Sequence, residues 1–324
     1  MMARNTRNTT LWMLALLVAL SGIWMLTMWL DEHRENTFQH QFPKIPVQDI
    51  HTLKIYARSE NHAEVVIFLS GDEWRVMRGT TNMPLHEGRI EILLEELEKL
   101  RPSRLKGTTR EQWAELEMED SLATRVIAIG NQGVIIDFKI GAFQYYDNRK
   151  GKSPDEPPDR SRGITYVRLT DGEQVYSAEN FFGPNFNQVF STWRNQRILK
   201  LDVRELEQIE FRYSDEHIYT FEIEEPDVWK YKNAFMPEEP RLQYTMAMLD
   251  TKHSYFADAY RPEAGPLFEV AYQMKDAEEV IVRAYEAPSG QIIIHSSMNP
   301  ETYFLDYNER LLELLFPPMD FFFP

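Results

Sequence analysis

Eight histidines are the first residues to question for chemistry, and they are scattered: His33, His40, His51, His62, His86, His217, His253 and His295. No two stand three or four apart, the spacing at which one helix face presents a pair of metal ligands. His295-Ser296-Ser297 places an imidazole beside two hydroxyls, the residue types of a base and its nucleophile. The run sits where a hairpin turn is expected, and there the hydroxyls have the simpler task of capping backbone groups. Glu115, Glu117, Glu119 and Asp120 gather carboxylates that would attract a divalent cation. They lack the alternating acidic framework of a calcium loop, so a solvated face is expected. Trp74 and Trp229 offer flat rings for stacking on sugars, but their matched positions, set out below, make them core anchors.

Other chemistry is excluded more directly. The chain has no cysteine, hence no thiolate nucleophile or metal ligand, no disulfide and no lipid-modified N-terminal Cys. The G-x-S-x-G, H-E-x-x-H, P-loop and G-x-G-x-x-G patterns are missing too. Lys and Arg number 35 against 51 Asp and Glu, a net charge of −16 that repels phosphate backbones before contact. The expectation is therefore no catalytic residue, no cofactor, no metal and no nucleic-acid partner. The C-terminus stands apart. Phe321, Phe322 and Phe323 close the chain, and each would forgo about 1.5–3 kcal/mol by staying in water. Either they fold back onto the body or they are partner contacts.

The elements that must carry these residues begin with Leu11 to Leu30, twenty residues without a charge. As a helix this run would span roughly 30 Å, a bilayer's hydrocarbon thickness. Arg4 and Arg7 precede it, so residues 1–10 are expected as a cytoplasmic tail and the C-terminal body outside the cytoplasm. That places the chain in the inner membrane as a single-pass, periplasmic-facing protein. A cleaved signal peptide, with Ala19-Leu20-Ser21 as its site, is the competing reading; the apolar run continues past it to Leu30. Residues 31–48, with Pro43 and Pro46, read as an extended linker.

The body reads as α+β, built of antiparallel hairpins with packed helices. Short β-branched and aromatic runs from Asp49 to Val76 are strands, turning at Ser70-Gly71-Asp72. Ile90, Leu93, Leu94, Leu97 and Leu100 recur at helical spacing until Pro102. A short helix over Thr108–Met118, hairpins over Val126–Ile140 and Thr165–Ser177, and a helix over Pro184–Arg194 complete a first unit, 49–195. Then the pattern restarts. Val203–Phe211 restates the opening strand, Asp227-Val228-Trp229-Lys230 restates Asp72-Glu73-Trp74-Arg75, and further hairpins lead to a helix over Tyr307–Phe316. A second unit is therefore expected over 203–316, followed by an aromatic tail, 317–324. The charged, proline-bearing segment Gln144–Gly163 has no counterpart in the second half and reads as a mobile insertion.

An N-terminal apolar run, a D-I-x-x-L-x-I strand, a Gly71-Asp72-Glu73-Trp74 turn, a Leu-rich helix and a repeat of the set resemble a domain-of-unknown-function family, number four-three-four-zero. The likeness covers nearly the whole chain. Members commonly carry Tyr-Gly-Leu and a Pro after the first helix, where this chain has Trp113-Ala114-Glu115-Leu116. The resemblance implies a membrane-anchored extracytoplasmic protein encoded beside ABC-type transporter and gliding-related genes. It brings no catalytic residues. The expected function is thus a non-catalytic accessory or scaffold subunit of an ABC-type transport or gliding-related assembly. Its partners would be membrane proteins such as transporter subunits, and the lipid bilayer through residues 11–30. A cell-envelope hydrolase or sugar-binding protein is the alternative.

Overall fold

Period-two alternation marks several strands of this chain. Along Thr124–Gly130 every second residue is buried, the mark of a strand with one face on a core. The computed structural model describes residues 20–25, 42–146, 162–179, 181–214 and 217–324. A 3-10 turn, Val47–Asp49, leads into β1 (Ile50–Tyr56), β2 (Glu64–Ser70), β3 (Glu73–Arg78) and β4 (Thr81–Pro84). Helix α1 (Arg89–Glu98) buries Leu93 and Leu97 completely, as its 3–4 spacing requires. Next come β5 (Pro102–Gly107), α2 (Arg110–Glu115), β6 (Thr124–Gly130), β7 (Gly133–Tyr146), β8 (Arg162–Leu169) and β9 (Val175–Glu179). Thr109 and Gln112 form the capping box that starts α2. Two short helices, α3 (Phe182–Phe186) and α4 (Phe190–Trp193), and β10 (Arg197–Leu199) follow.

The order then recurs. A 3-10 turn, Val203–Glu205, opens β11 (Leu206–Ser214), β12 (His217–Glu225), β13 (Val228–Tyr231) and β14 (Ala234–Phe235). Helix α5 (Glu238–Leu249) and β15 (Thr251–Lys252) precede β16 (Phe268–Met274), β17 (Val280–Glu286), β18 (Ile292–Ser296) and β19 (Tyr303–Asp306). Helices α6 (Arg310–Leu315) and α7 (Met319–Phe322) end the chain.

Two compact units result, one from Met1–Ala63 with Glu91–Asn187, the other from Glu64–Ile90 with Gln188–Pro324. In the first, antiparallel strands lie in the order β1-β6-β7-β8-β9-β5. A register shift between Ile140 and Phe143 lets α2's end approach β7, and Ala142 N–H donates to Leu116 O at 2.9 Å. Gly141 is required there: a Cβ would run into that same carbonyl. In the second unit β4-β3-β2 form a meander, and an eight-stranded antiparallel sheet runs β14-β13-β12-β11-β16-β17-β18-β19. Thus β4-β3-β2 recur as β14-β13-β12, and β1-β6-β7-β8-β9 recur as β11-β16-β17-β18-β19.

Several expectations need correction. The structure is mostly antiparallel sheet, and among the described residues no helix is long and apolar enough to cross a membrane. Of the run 11–30 only Leu20–Met25 is described; it is helical, but at 1.5 Å per residue it spans about 9 Å. The rest, 11–19 and 26–30, lies outside the described residues, as do the tail 1–10 and the linker up to residue 41. The α+β class headed by a transmembrane helix, and the inner-membrane placement resting on it, are therefore not upheld. The helix expected over Pro184–Arg194 is two helices, because Val189 is extended at φ −77° and ψ 153°. Of the insertion Gln144–Gly163, the ends are strand: Tyr145 pairs with Gly163 and Tyr146 with Arg162. Residues 147–161 lie outside the described residues.

Candidate binding site

The residues singled out for chemistry are spent on structure. Ser296 Oγ accepts Met298 N–H at 3.2 Å and Ser297 Oγ accepts Ile281 N–H at 2.9 Å, so both hydroxyls hold backbone. His295 Nε2–H donates to Pro300 O at 3.1 Å, while its Nδ1 is buried without a partner. Desolvation holds the His295 pKa below its ordinary value. Two members of the acidic cluster are ion-paired. Glu117 pairs with Arg58 at 3.0 Å, and Asp120 pairs with Lys139, a hydrogen bond that lowers the Asp120 pKa. Among the described residues no group of three His, Cys, Asp or Glu is placed to hold a metal ion. Trp229 is 1% exposed and donates Nε1–H to Pro226 O, a core anchor; Trp74 is only half-buried.

The aromatic tail also falls inward. Phe322 is buried, with ring centroids 5.4 Å from Phe211, 4.8 Å from Phe221 and 5.5 Å from Tyr244. Tyr244 O–H donates to Leu315 O at 3.1 Å and Tyr213 O–H to Pro317 O, fastening the approach to the tail. Phe322 is therefore core and not a partner contact, while Phe321 and Phe323 are half-buried beside it.

A cleft of about 470 Å³ forms elsewhere in the second unit, from residues the sequence did not single out together. Its frame is β19. Leu305 N–H donates to Tyr255 O at 3.0 Å, and Ala257 N–H to Tyr303 O at 2.8 Å, so residues 255–257 lie along the sheet's last strand. Phe256 bridges Phe304, which is fully buried, and this fixes Tyr255 at the cleft. On the other side the chain leaves β19 through Asp306, whose carboxylate turns back to accept Leu312 N–H at 2.9 Å. Glu309 takes the left-handed conformation at φ 56°. Tyr307–Glu309, expected as the first helical turn, are thus a loop that puts Tyr307 in solvent, and α6 starts only at Arg310.

Tyr255 is 55% exposed and Tyr307 60%, with their rings edge-to-face at 5.1 Å. His253 lies 5.3 Å from the Tyr255 ring and donates Nε2–H to Leu305 O at 2.9 Å, which leaves Nδ1 as its acceptor. Asn308, Arg310 and Leu314 complete the wall, all exposed. Arg310 makes no ion pair with any described residue. The arrangement offers two exposed ring faces, an apolar floor, an amide and one exposed guanidinium. It is equipped to bind and orient.

An antiparallel sheet protein with a tyrosine-walled cleft beside its last strand is the class these observations define. The chain belongs to a family described as a domain of unknown function (DUF4340), whose model matches residues 74–252. The match runs from β3 to β15 and stops one residue short of His253, the first residue of the cleft. No curated protein matches the chain.

Proposed function

We propose that this protein is a non-catalytic binding subunit, which engages another protein through the cleft of Tyr255, Tyr307 and Arg310. The observation that carries the reading is the exposure of two contacting tyrosine rings next to a guanidinium that makes no ion pair with any described residue. Tyrosine and arginine dominate the energetics of protein interfaces, because each brings a large flat contact area with a polar handle. The Tyr255 backbone is fixed by its bond from Leu305 N–H, and the Tyr307 ring packs edge-to-face on the Tyr255 ring, which lowers the conformational freedom lost on binding. The assembly context comes with the family resemblance in the sequence: the partner we propose is a subunit of an ABC-type transport or gliding-related machine.

A photo-crosslinking residue at position 307, in cells co-expressing ABC-type transporter subunits, tests the reading. A crosslink to one transporter subunit is expected, and the Tyr255→Ala, Arg310→Glu double variant should lose it without losing its fold. Binding of a glycan in this cleft with no protein crosslink would replace the reading with a sugar-binding one. Hydrolysis of envelope material by the purified chain, abolished by one point change, would overturn it altogether.

A further inference from the structure

Strand β5 is the open edge of the first unit's sheet, and it is cationic in a chain of net charge −16. From Lys99 to Arg110 the chain holds five cations and no carboxylate: Lys99, Arg101, Arg104, Lys106 and Arg110. Lys99 is paired with Glu95, and Arg101 Nη1 donates to the carbonyls of Glu98 and Leu100. Arg104 and Lys106, on β5 itself, are exposed and make no ion pair with any described residue. Leu105 between them is 42% exposed. Among the described residues the strand is bonded on one side only, to β9, through the pairs Arg104 with Ser177 and Leu105 with Tyr176. Its other side makes no strand pairing with any described residue, and it is flanked by two exposed positive charges and an apolar side chain.

We infer that β5 is a docking edge for an extended acidic segment of a partner protein, which adds to the sheet as a further antiparallel or parallel strand. Strand addition takes its affinity from main-chain hydrogen bonds and its selectivity from alternate side chains. Here the alternation of Arg104, Leu105 and Lys106 selects carboxylates alternating with apolar residues. Lysine and arginine on an edge also deter self-pairing. An acidic edge would deter it equally in this chain, by repelling an identical copy; cations instead attract the opposite charge. The inference is independent of the cleft in the second unit.

The probe is a labelled peptide of alternating Glu and Val, matched to β5 in length, titrated against the full chain by fluorescence anisotropy. Saturable binding that weakens with salt is expected, with a loss on the order of tenfold or more in the Arg104→Glu, Lys106→Glu variant. These side chains are exposed, so circular dichroism and melting should show the variant folded. The same peptide N-methylated at alternate amides should also fail to bind, and hydrogen exchange at residues 103–107 should slow only with the unmethylated one. Equal binding of the methylated peptide, or of polyglutamate, would reduce the edge to a charge patch and overturn strand addition. So would binding unaffected by charge reversal, or no binding at all.

Discussion

Arg75 and Glu301, 226 positions apart in sequence, meet as a two-pronged ion pair, Nη1 to Oε1 at 2.9 Å and Nη2 to Oε2 at 2.6 Å. Glu73 and Asn82 hold the same guanidinium from its own meander. The Arg75 hydrogen bond holds the Glu301 carboxyl below the usual carboxylate range. The pair thus contributes stability that is complete above Glu301's unfolded pKa and disappears as pH falls through its lowered folded value. Glu301 is 46% exposed, so solvent screening limits the contribution to about 1 kcal/mol. Glu301→Gln should lower the urea midpoint at pH 7, and the gap to the unaltered chain should close in acid. A gap that stays constant with pH would show that the pair is not the cause.

Removing the tail should unfold before it unbinds. Phe322→Ala deletes a ring that touches Phe211, Phe221 and Tyr244 in the core, a loss of about 3 kcal/mol or more. Phe321→Ala and Phe323→Ala, half-buried, should cost clearly less. Chemical denaturation of the three variants ranks them, and deletion of Met319–Pro324 should lower the melting temperature as Phe322→Ala does.

Trp74 and Trp229 hold equivalent places but should not be equally sensitive. Each lies on the middle strand of its three-stranded meander, and each carbonyl accepts the same kind of bond: from Leu85 N–H at 3.0 Å and from Met236 N–H at 2.8 Å. Trp229 is sealed at 1% exposure and Trp74 is not. Trp229→Ala should therefore cost about 3–5 kcal/mol and Trp74→Ala less than half of that. We propose that residues 49–195 and 203–316 are two copies of one unit; an experimental structure in which these tryptophans occupy unrelated strands would refute it.

His295 should make the fold acid-sensitive. Burial disfavours its charged form, and Arg283 adds to this, so its folded pKa lies below the ordinary value. Its contribution is present above the unfolded pKa of about 6.5 and is lost as pH falls through the lowered folded value. Melting temperature should drop between pH 7.5 and 5.5, and His295→Gln should flatten that slope. An unchanged slope would assign the acid response to other groups.

Much of the strand layout was legible before any coordinates, because a half-buried strand alternates every second residue. Val126, Ala128 and the hairpin at Gly130-Asn131-Gln132-Gly133 announce β6 and β7, and Ile90, Leu93 and Leu97 announce α1. The restart at Val203 also rests on local pattern and composition. Other features depend on distance. Tyr255 and Tyr307 meet only because residues 255–257 lie along β19, and Glu309's left-handed turn releases Tyr307 from a helix its neighbours' spacing predicted. Arg75 finds Glu301, and β5 becomes a sheet edge by pairing with β9 across more than seventy residues. Periodicity records which face of each element is buried; it carries no record of which element covers that face. That choice is made by packing and hydrogen bonding among residues far apart in the chain. The sequence alone therefore determined the alternation of strands such as β6 and β7, the Leu-rich helix α1, the acidic charge and the family likeness. Only the tertiary structure decided that Phe322 is core, that two tyrosines wall a cleft, and that a cationic strand lies open at an edge.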